Sequence, residues 1–141
     1  MRIFLSGIIQ GSRLGKDIHT QDYRSLLKGI LRRHAPDADV VCPIDLHPNS
    51  VDYDEVQARR TFEDMVRLAS EADVVVAYLP EASMGTAVEI WEAHRRNVPV
   101  FTISPLAENW VVKLASSQVF PTLADFETFL VAGGLRAMER R

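Results

Sequence analysis

Five short apolar runs are spaced along the chain, separated by longer segments in which apolar residues recur at every third or fourth position. Runs without polar alternation are typical of strands buried on both faces, and the longer segments are typical of amphipathic helices. Strands that alternate with helices predict a parallel α/β sheet with helices on both faces. The predicted strands are residues 2–6, 39–42, 72–79, 98–103 and 118–120.

The helical segments begin at side chains that commonly cap helices. Such side chains accept hydrogen bonds from free N–H groups of the first turn, and proline is favoured at the first helical position. Residues 43–51 are polar and contain prolines, so they predict a surface loop. The predicted caps are Thr20, the capping box of Asp52 and Glu55, Ser104 followed by Pro105, and Thr122 with Asp125.

The strand order that we expect is 2-1-3-4-5, the doubly wound, flavodoxin-like order. Its switch point lies between the first and third strands, where ligands bind beyond the carboxyl ends, so residues 7–12 and 81–89 flank one crevice. The length of 141 residues suits a single domain with one core. We expect that domain to span residues 1–141, with a basic tail from about residue 133.

The net charge and the cysteine count of the chain limit the kinds of ligand and cellular location that we expect. The net charge of −3 disfavours polymeric nucleic acid and anionic membranes, which leaves a small molecule as the expected ligand. Cys42 is the single cysteine, so no intrachain disulfide forms. No apolar run approaches the ~20 residues of a membrane span, and the N-terminal run is too short for a signal peptide. We therefore expect a cytoplasmic protein.

Glu89 is the candidate catalytic residue. It stands early in the helix after the central strand, beside the predicted crevice. A carboxylate in that place can attack the anomeric carbon of a sugar, because it both stabilises and captures the oxocarbenium-like transition state. The alternative is that Glu89 only stabilises the helix macrodipole.

Other catalytic and cofactor signatures are absent from the sequence. It contains no P-loop lysine motif, no Gly-x-Gly-x-x-Gly and no Gly-x-Ser-x-Gly. The four histidines share no ligand spacing, so neither a metal nor another cofactor is expected. A flavodoxin-like receiver or FMN carrier is disfavoured, because the acidic phosphoacceptor cluster and the Ser/Thr-rich loop after the first strand are both missing.

Four segments together resemble the nucleoside 2-deoxyribosyltransferase family, including its 2'-deoxynucleoside 5'-phosphate N-hydrolase branch. They are Ile3-Phe4-Leu5-Ser6-Gly7, Phe62-Glu63, residues 72–77 and residues 83–89. The similarity extends from residue 2 to about residue 129. It implies that Glu89 attacks C1' of the sugar, which releases the base and leaves a glycosyl-enzyme ester.

The resemblance also implies the other site residues. The family usually carries an aspartate one turn into the helix before the central strand; that position falls on Met65, and the neighbouring Asp64 becomes the candidate for its catalytic role. The expected substrate-binding residues are Gly7, Ile8, Gln10, Ser83, Gly85 and Asn109.

Within the family, the branch stays open. Ser83 is similar to the serine that holds phosphate in the N-hydrolases, yet Ile8 and Gln10 stand where those enzymes have a serine and an arginine. Asn109 is placed like the asparagine that, in the transferases, reaches the 5'-hydroxyl from a neighbouring subunit. The expected substrate is therefore a nucleoside or its 5'-monophosphate, and the acceptor is another base or water.

Two functional hypotheses follow. The first is an enzyme that transfers or hydrolyses the deoxyribosyl group; the second is a nucleoside- or nucleotide-binding module without turnover, which Met65 in place of an aspartate favours. A helix predicted over residues 104–115 presents Trp110, Val111 and Leu114, more apolar surface than one sheet contact requires. We therefore expect a homodimer or higher homo-oligomer with sites shared between subunits.

Overall fold

A computed structural model describes residues 1–139. Within that range the protein has one five-stranded sheet in the order β2-β1-β3-β4-β5, and every neighbouring pair is parallel. This confirms the predicted α/β, flavodoxin-like arrangement. The strands are β1 (Arg2–Gly7), β2 (Asp39–Val41), β3 (Val74–Tyr78), β4 (Val100–Ile103) and β5 (Gln118–Phe120).

Helices cover both faces of the sheet. They are α1 (Asp22–His34), α2 (Pro43–Leu46), α3 (Glu55–Glu71), α4 (Met84–Arg95), α5 (Trp110–Ala115), α6 (Leu123–Val131) and α7 (Arg136–Glu139). The helices α1 and α6 pack on one face, and α3, α4 and α5 pack on the other. Each face has its own apolar core, as expected for a sheet buried on both sides.

The alternation of side chains along β1 decides which residues reach the second face. Ile3 and Leu5 belong to the core under α1 and α6, whereas Phe4 belongs to the core under α3, α4 and α5. Because successive side chains of a strand point to opposite faces, Ser6 points the same way as Phe4. The hydroxyl of Ser6 therefore lies toward α4.

The segment over residues 43–51 is more ordered than the predicted loop. Pro43 opens the single turn of α2, where its missing N–H costs nothing, and a short 3₁₀ helix follows over Ser50–Asp52. The predicted capping box is wrong, because Asp54 is the cap of α3: its Oδ1 accepts from the N–H of Gln57 at 2.8 Å.

The helix predicted from Ser104 is shorter than expected. It begins at Trp110, and the Asn109 side chain caps it by accepting from the N–H of Val111 at 3.1 Å. Ser104 bonds across the sheet instead, since its hydroxyl donates to the carbonyl of Leu79 at 2.6 Å. The same hydroxyl accepts from the N–H of Leu106 at 3.0 Å, so it joins the ends of β3 and β4 and shapes the turn after β4, but no helix begins there.

The remaining predicted caps have mixed outcomes. Thr122 caps α6, with its hydroxyl accepting from the N–H of Asp125 at 3.2 Å, as expected. At α1 the cap position is held by Gln21, one residue later than predicted, and the Thr20 hydroxyl lies 3.4 Å from the N–H of Asp22.

After α6 the chain turns at Gly133, whose φ of 84° is the left-handed conformation that glycine tolerates. The predicted basic tail begins with α7, and Arg140 and Arg141 lie outside the described residues. In the range 1–139, no helix combines the length and apolar character needed to cross a membrane.

Candidate active site

A cavity of about 410 Å³ opens at the carboxyl ends of β1 and β3. Its walls come from the loop of residues 8–21, called here the first loop, from residues 43–51, from α3 and from the start of α4. This is the predicted switch-point crevice. The lining residues are Gly7, Ile9, Gln10, Gly11, Pro43, His47, Ser50, Val51, Ala58, Thr61, Phe62, Met65, Ser83, Met84, Gly85, Thr86 and Glu89.

Glu89 is the one carboxylate among these described lining residues. It lies in the second turn of α4, and the Ser6 hydroxyl donates to its Oε2. The serine is fully buried at the end of β1, so the carboxylate is held from the sheet side. This contact joins the end of β1 to α4 and fixes the carboxylate at the floor of the cavity.

Burial raises the pKa of Glu89 from 4.5 to about 7. Loss of hydration disfavours the charged form, and the hydrogen bond from Ser6 and the positive charge of Arg24 offset part of that effect. Near neutral pH the side chain therefore exchanges between the acid and the carboxylate. A carboxyl group with such a pKa in a cavity is typical of functional sites.

Arg24 is a buried charge that acts on Glu89, and sequence reasoning missed it. It is only 2% exposed, and its guanidinium donates to the carbonyls of Leu5 and Gly7 at 3.2 and 3.1 Å. The signal was available, because Arg24 precedes Leu27 and Leu31 by three and seven residues and therefore belongs to the buried face of α1.

The beginning of the first loop is shaped by Tyr23. Its ring stacks on Tyr78 with 4.4 Å between centroids, and its hydroxyl donates to the carbonyl of Ile8 at 2.9 Å. A Cβ on Gly7 would collide with the Tyr23 hydroxyl and ring, so only glycine fits there. The Ile8 side chain is 1% exposed, belongs to the core and is absent from the cavity lining.

Gln10 and Ser83 lie on opposite sides of the cavity mouth. Gln10 donates through Nε2 to the carbonyl of Gly15 at 3.2 Å, within the first loop. Ser83 caps α4, and its hydroxyl accepts from the N–H of Thr86 at 3.4 Å. The two sides are joined by His19, whose Nε2 lies 2.5 Å from Oε1 of Glu81.

His47 is the other titratable side chain of the described cavity lining. Its Nδ1 lies 2.9 Å from the hydroxyl of Tyr53, and this contact orients the ring. Nε2 is then the ring nitrogen left for a ligand. Phe62, which is 51% exposed, and Met65 form an apolar wall of the same cavity. Helical spacing alone does not distinguish such a wall from core, so the pattern of apolar residues did not reveal it.

Besides Ile8, two further predicted residues are not brought to this cavity. Asp64 lies on α3 with its side chain 57% exposed, and it pairs with Arg67 at 3.5 Å; its neighbour Met65 faces the cavity, because successive helical residues differ by about 100°. This placement argues against the catalytic role of Asp64. Asn109 caps α5 and is absent from the lining of its own chain's cavity.

Metal ligation finds no support in the described part of the chain, residues 1–139, where no group of three or more His, Cys, Asp or Glu side chains could hold an ion. His19 is occupied by Glu81, and His34 contacts Glu127 at 3.1 Å on the far side of α1.

No family model and no curated protein matches the sequence, but solved structures match its fold. A 2-deoxyribosyltransferase from Bacillus psychrosaccharolyticus is 18% identical over 90% of both chains, with a TM-score of 0.68. A conserved protein from Enterococcus faecalis V583 is 18% identical over 94% of this chain and 98% of its own, with a TM-score of 0.64. A CMP N-glycosidase from Clostridium botulinum is 16% identical over 94% and 99%, with a TM-score of 0.53. The chain therefore has the fold of a solved 2-deoxyribosyltransferase, as its sequence resemblance predicted.

Proposed function

We propose that this protein cleaves the N-glycosidic bond of a nucleoside or its 5'-monophosphate, with Glu89 as the nucleophile. The observation that carries the proposal is the single lining carboxylate, hydrogen-bonded by Ser6 and set in a cavity at the switch point. The proposal is supported by the fold, which is similar to those of a 2-deoxyribosyltransferase and a CMP N-glycosidase.

The reaction has two steps in this proposal. An oxygen of Glu89 bonds to C1' while the bond from C1' to the base nitrogen breaks, and the bonding electron pair leaves with the base. A nitrogen of a second base, or water, then attacks C1' and releases the carboxylate, and the proton that the attacking group loses passes to the His47 imidazole. The Ser6 hydroxyl stabilises the charged carboxylate before the first step and after the second.

His47 is the proposed proton donor for the departing base. It is the titratable side chain that shares the described cavity lining with Glu89, and its contact with Tyr53 orients the ring. A leaving nitrogen requires a proton as the bond breaks, and an imidazole N–H is a common donor of that proton.

The charge of the cavity favours an uncharged nucleoside over a 5'-monophosphate. Among the described lining residues there is neither lysine nor arginine, and Gln10 is neutral. A phosphate dianion near the Glu89 carboxylate would meet repulsion, which the N-terminal end of α4 offsets in part.

The alternative function, binding without turnover, is favoured by Met65. It lies in the cavity lining where the resemblance expects an aspartate. A panel of deoxynucleosides, ribonucleosides and 5'-monophosphates, each with and without an acceptor base, distinguishes the two functions by chromatography. Release of a free base supports the enzyme; saturable binding with every substrate intact after long incubation supports the binding module.

The rate should depend on pH through Glu89. Because only the ionised carboxylate attacks C1', we expect kcat/KM to rise with pH on the acid side of its profile, with a midpoint near 7. Ser6→Ala should move the midpoint upward, since the lost hydrogen bond stabilised the ionised form. Initial rates from pH 5 to 9 measure both midpoints, and a rate that falls steadily across this range contradicts the assignment.

Assembly is part of the proposal. Trp91 and Trp110 are 53% and 79% exposed, and Leu114 is also exposed, all on helices that cover the α3, α4 and α5 face of the sheet. We propose a homodimer or higher homo-oligomer that buries this surface and brings Asn109 to the partner's cavity. The lone, buried Cys42 fits the cytoplasmic location that we also propose.

Trp110→Glu should yield a folded monomer with at least about a tenfold higher KM, because a charge in an apolar interface is poorly tolerated and Asn109 would no longer reach the other site. Sedimentation and kinetics measure the two effects. The matched control is Val131→Glu, a change at a 69% exposed residue on the opposite face, which should leave both unchanged. A fully active monomer of the parent protein at micromolar concentration contradicts the shared site.

A further inference from the structure

Arg24 is buried without an acidic partner among the described residues. It is 2% exposed, and its three polar contacts beyond Cys42 are to the Leu5 and Gly7 carbonyls and to Oε1 of Gln21, the last at 2.7 Å. Burying an arginine is costly, and such residues are usually paired with a carboxylate. An ion pair therefore does not explain why Arg24 is buried.

The two carbonyls that accept from Arg24 belong to the part of β1 that continues past the end of β2. The pairing of β1 with β2 stops at Phe4, which faces Val41. Parallel strands direct the polar groups of alternate residues to the same neighbour, so Leu5 and Gly7 both face the side that β2 no longer reaches. The guanidinium fork takes the place of the missing strand and satisfies both carbonyls.

Ser6 lies between these two carbonyls. The Leu5 carbonyl is part of the peptide group that precedes Ser6, and the Gly7 carbonyl is part of the peptide group that follows Gly7, so the guanidinium holds β1 both before and after Ser6. This restrains the backbone at Ser6 and with it the direction of its side chain. Its hydroxyl donates to Glu89 on the other face of the sheet. Arg24 can therefore influence the position of the Glu89 carboxylate through the backbone of β1 and the Ser6 side chain.

Arg24 also acts through its charge. The buried positive charge favours the ionised form of Glu89 and so lowers its pKa, against the larger effect of burial. The other titratable groups around the carboxylate are Tyr23, whose pKa is raised by burial so that it stays neutral, and His47 in the cavity wall. Among the described groups near Glu89, Arg24 is thus the permanent cation.

We propose that Arg24 is a positioning residue of the active site, which aims the Ser6 hydroxyl at Glu89 and holds the carboxylate ready to attack. It touches neither the substrate nor the reacting atoms. The catalytic part of this inference rests on the proposed function, whereas the effect on the ionisation of Glu89 does not.

The test compares the full-length parent with Arg24→Met, Arg24→Lys and the control Arg32→Met, which removes an exposed arginine from the same helix. NMR of side-chain-labelled glutamate follows the ionisation of Glu89 directly, whether or not the protein turns over a substrate. We expect Arg24→Met to raise the titration midpoint by about one pH unit and Arg24→Lys to raise it less, because lysine keeps the charge but not the fork.

Kinetics provide the second readout. At pH 7 we expect Arg24→Met to lower kcat about tenfold with little change in KM, and to recover part of that loss at pH 9. If Arg24→Met does not fold, Arg24→Lys alone must show the upward midpoint and the lower kcat. A Glu89 midpoint within about 0.2 pH units of the parent overturns the inference. A shifted midpoint in a protein without turnover instead contradicts the proposed function and leaves the role of Arg24 in ionisation intact.

Discussion

The Glu89→Gln protein should lose at least about a thousandfold in kcat/KM for base release while keeping its fold. Glutamine has the shape of glutamate, and its amide oxygen can still accept from the Ser6 hydroxyl. The neutral amide is nevertheless a poor nucleophile and cannot balance the positive charge that develops at C1'. Single-turnover rates with a confirmed substrate measure the loss.

The matched control for this substitution is Glu92→Gln. Glu92 lies one turn further along α4, pairs with Arg95 at 3.2 Å and is absent from the lining of the cavity, so its loss should leave the rate unchanged. Mass spectrometry with a slow 2'-fluoro nucleoside adds a direct test. The parent should gain the mass of the glycosyl group, and the Glu89→Gln protein should not. Turnover by Glu89→Gln at the parent rate rejects Glu89 as the nucleophile.

The same substitution should stabilise the protein at alkaline pH. The folded-state pKa of Glu89 is raised to about 7 from 4.5, so between these values the folded chain binds a proton more tightly than the unfolded chain. The free energy of unfolding therefore falls as pH rises through this window, and the cost is complete above it. The full cost is about 3 kcal/mol, and glutamine, which does not ionise, removes it.

Urea unfolding of both proteins at about pH 4 and pH 8 measures this effect. We expect equal stabilities at the lower pH and a more stable Glu89→Gln protein at the higher one. Glu92→Gln should show no such gain, because Glu92 is on the surface with Arg95 and Arg96. A Glu89→Gln protein that is less stable than the parent at pH 8 contradicts the burial cost assigned to the carboxylate.

The strand order and the position of Glu89 could be predicted because they depend on local patterns. Buried parallel strands are continuous apolar runs, and the switch point follows from the order of strands alone. The helix starts were less predictable, since several polar residues compete at each one. Asp54 rather than Asp52 caps α3, and Ser104 bonds to Leu79 across the sheet, a partner that no sequence window contains.

The residues that form the site could be predicted from the sequence only in part. Glu89 was predicted from its position after the central strand and Ser83 and Gly85 from the resemblance, and all three line the cavity. The sequence does not decide which of the neighbours Asp64 and Met65 faces the cavity, because the rotation of α3 depends on tertiary packing. Arg24 escaped notice because a charged residue on an apolar helix face is usually expected to reach solvent.

The contact between His19 and Glu81 has a consequence for the timing of turnover. It joins the first loop to the segment before α4 and so restrains the two sides of the cavity mouth relative to each other. Because the first loop is already held in place before a substrate binds, binding costs the protein little conformational entropy. Ordering of the first loop then need not add a slow step to turnover, in contrast to loops that must close on the substrate.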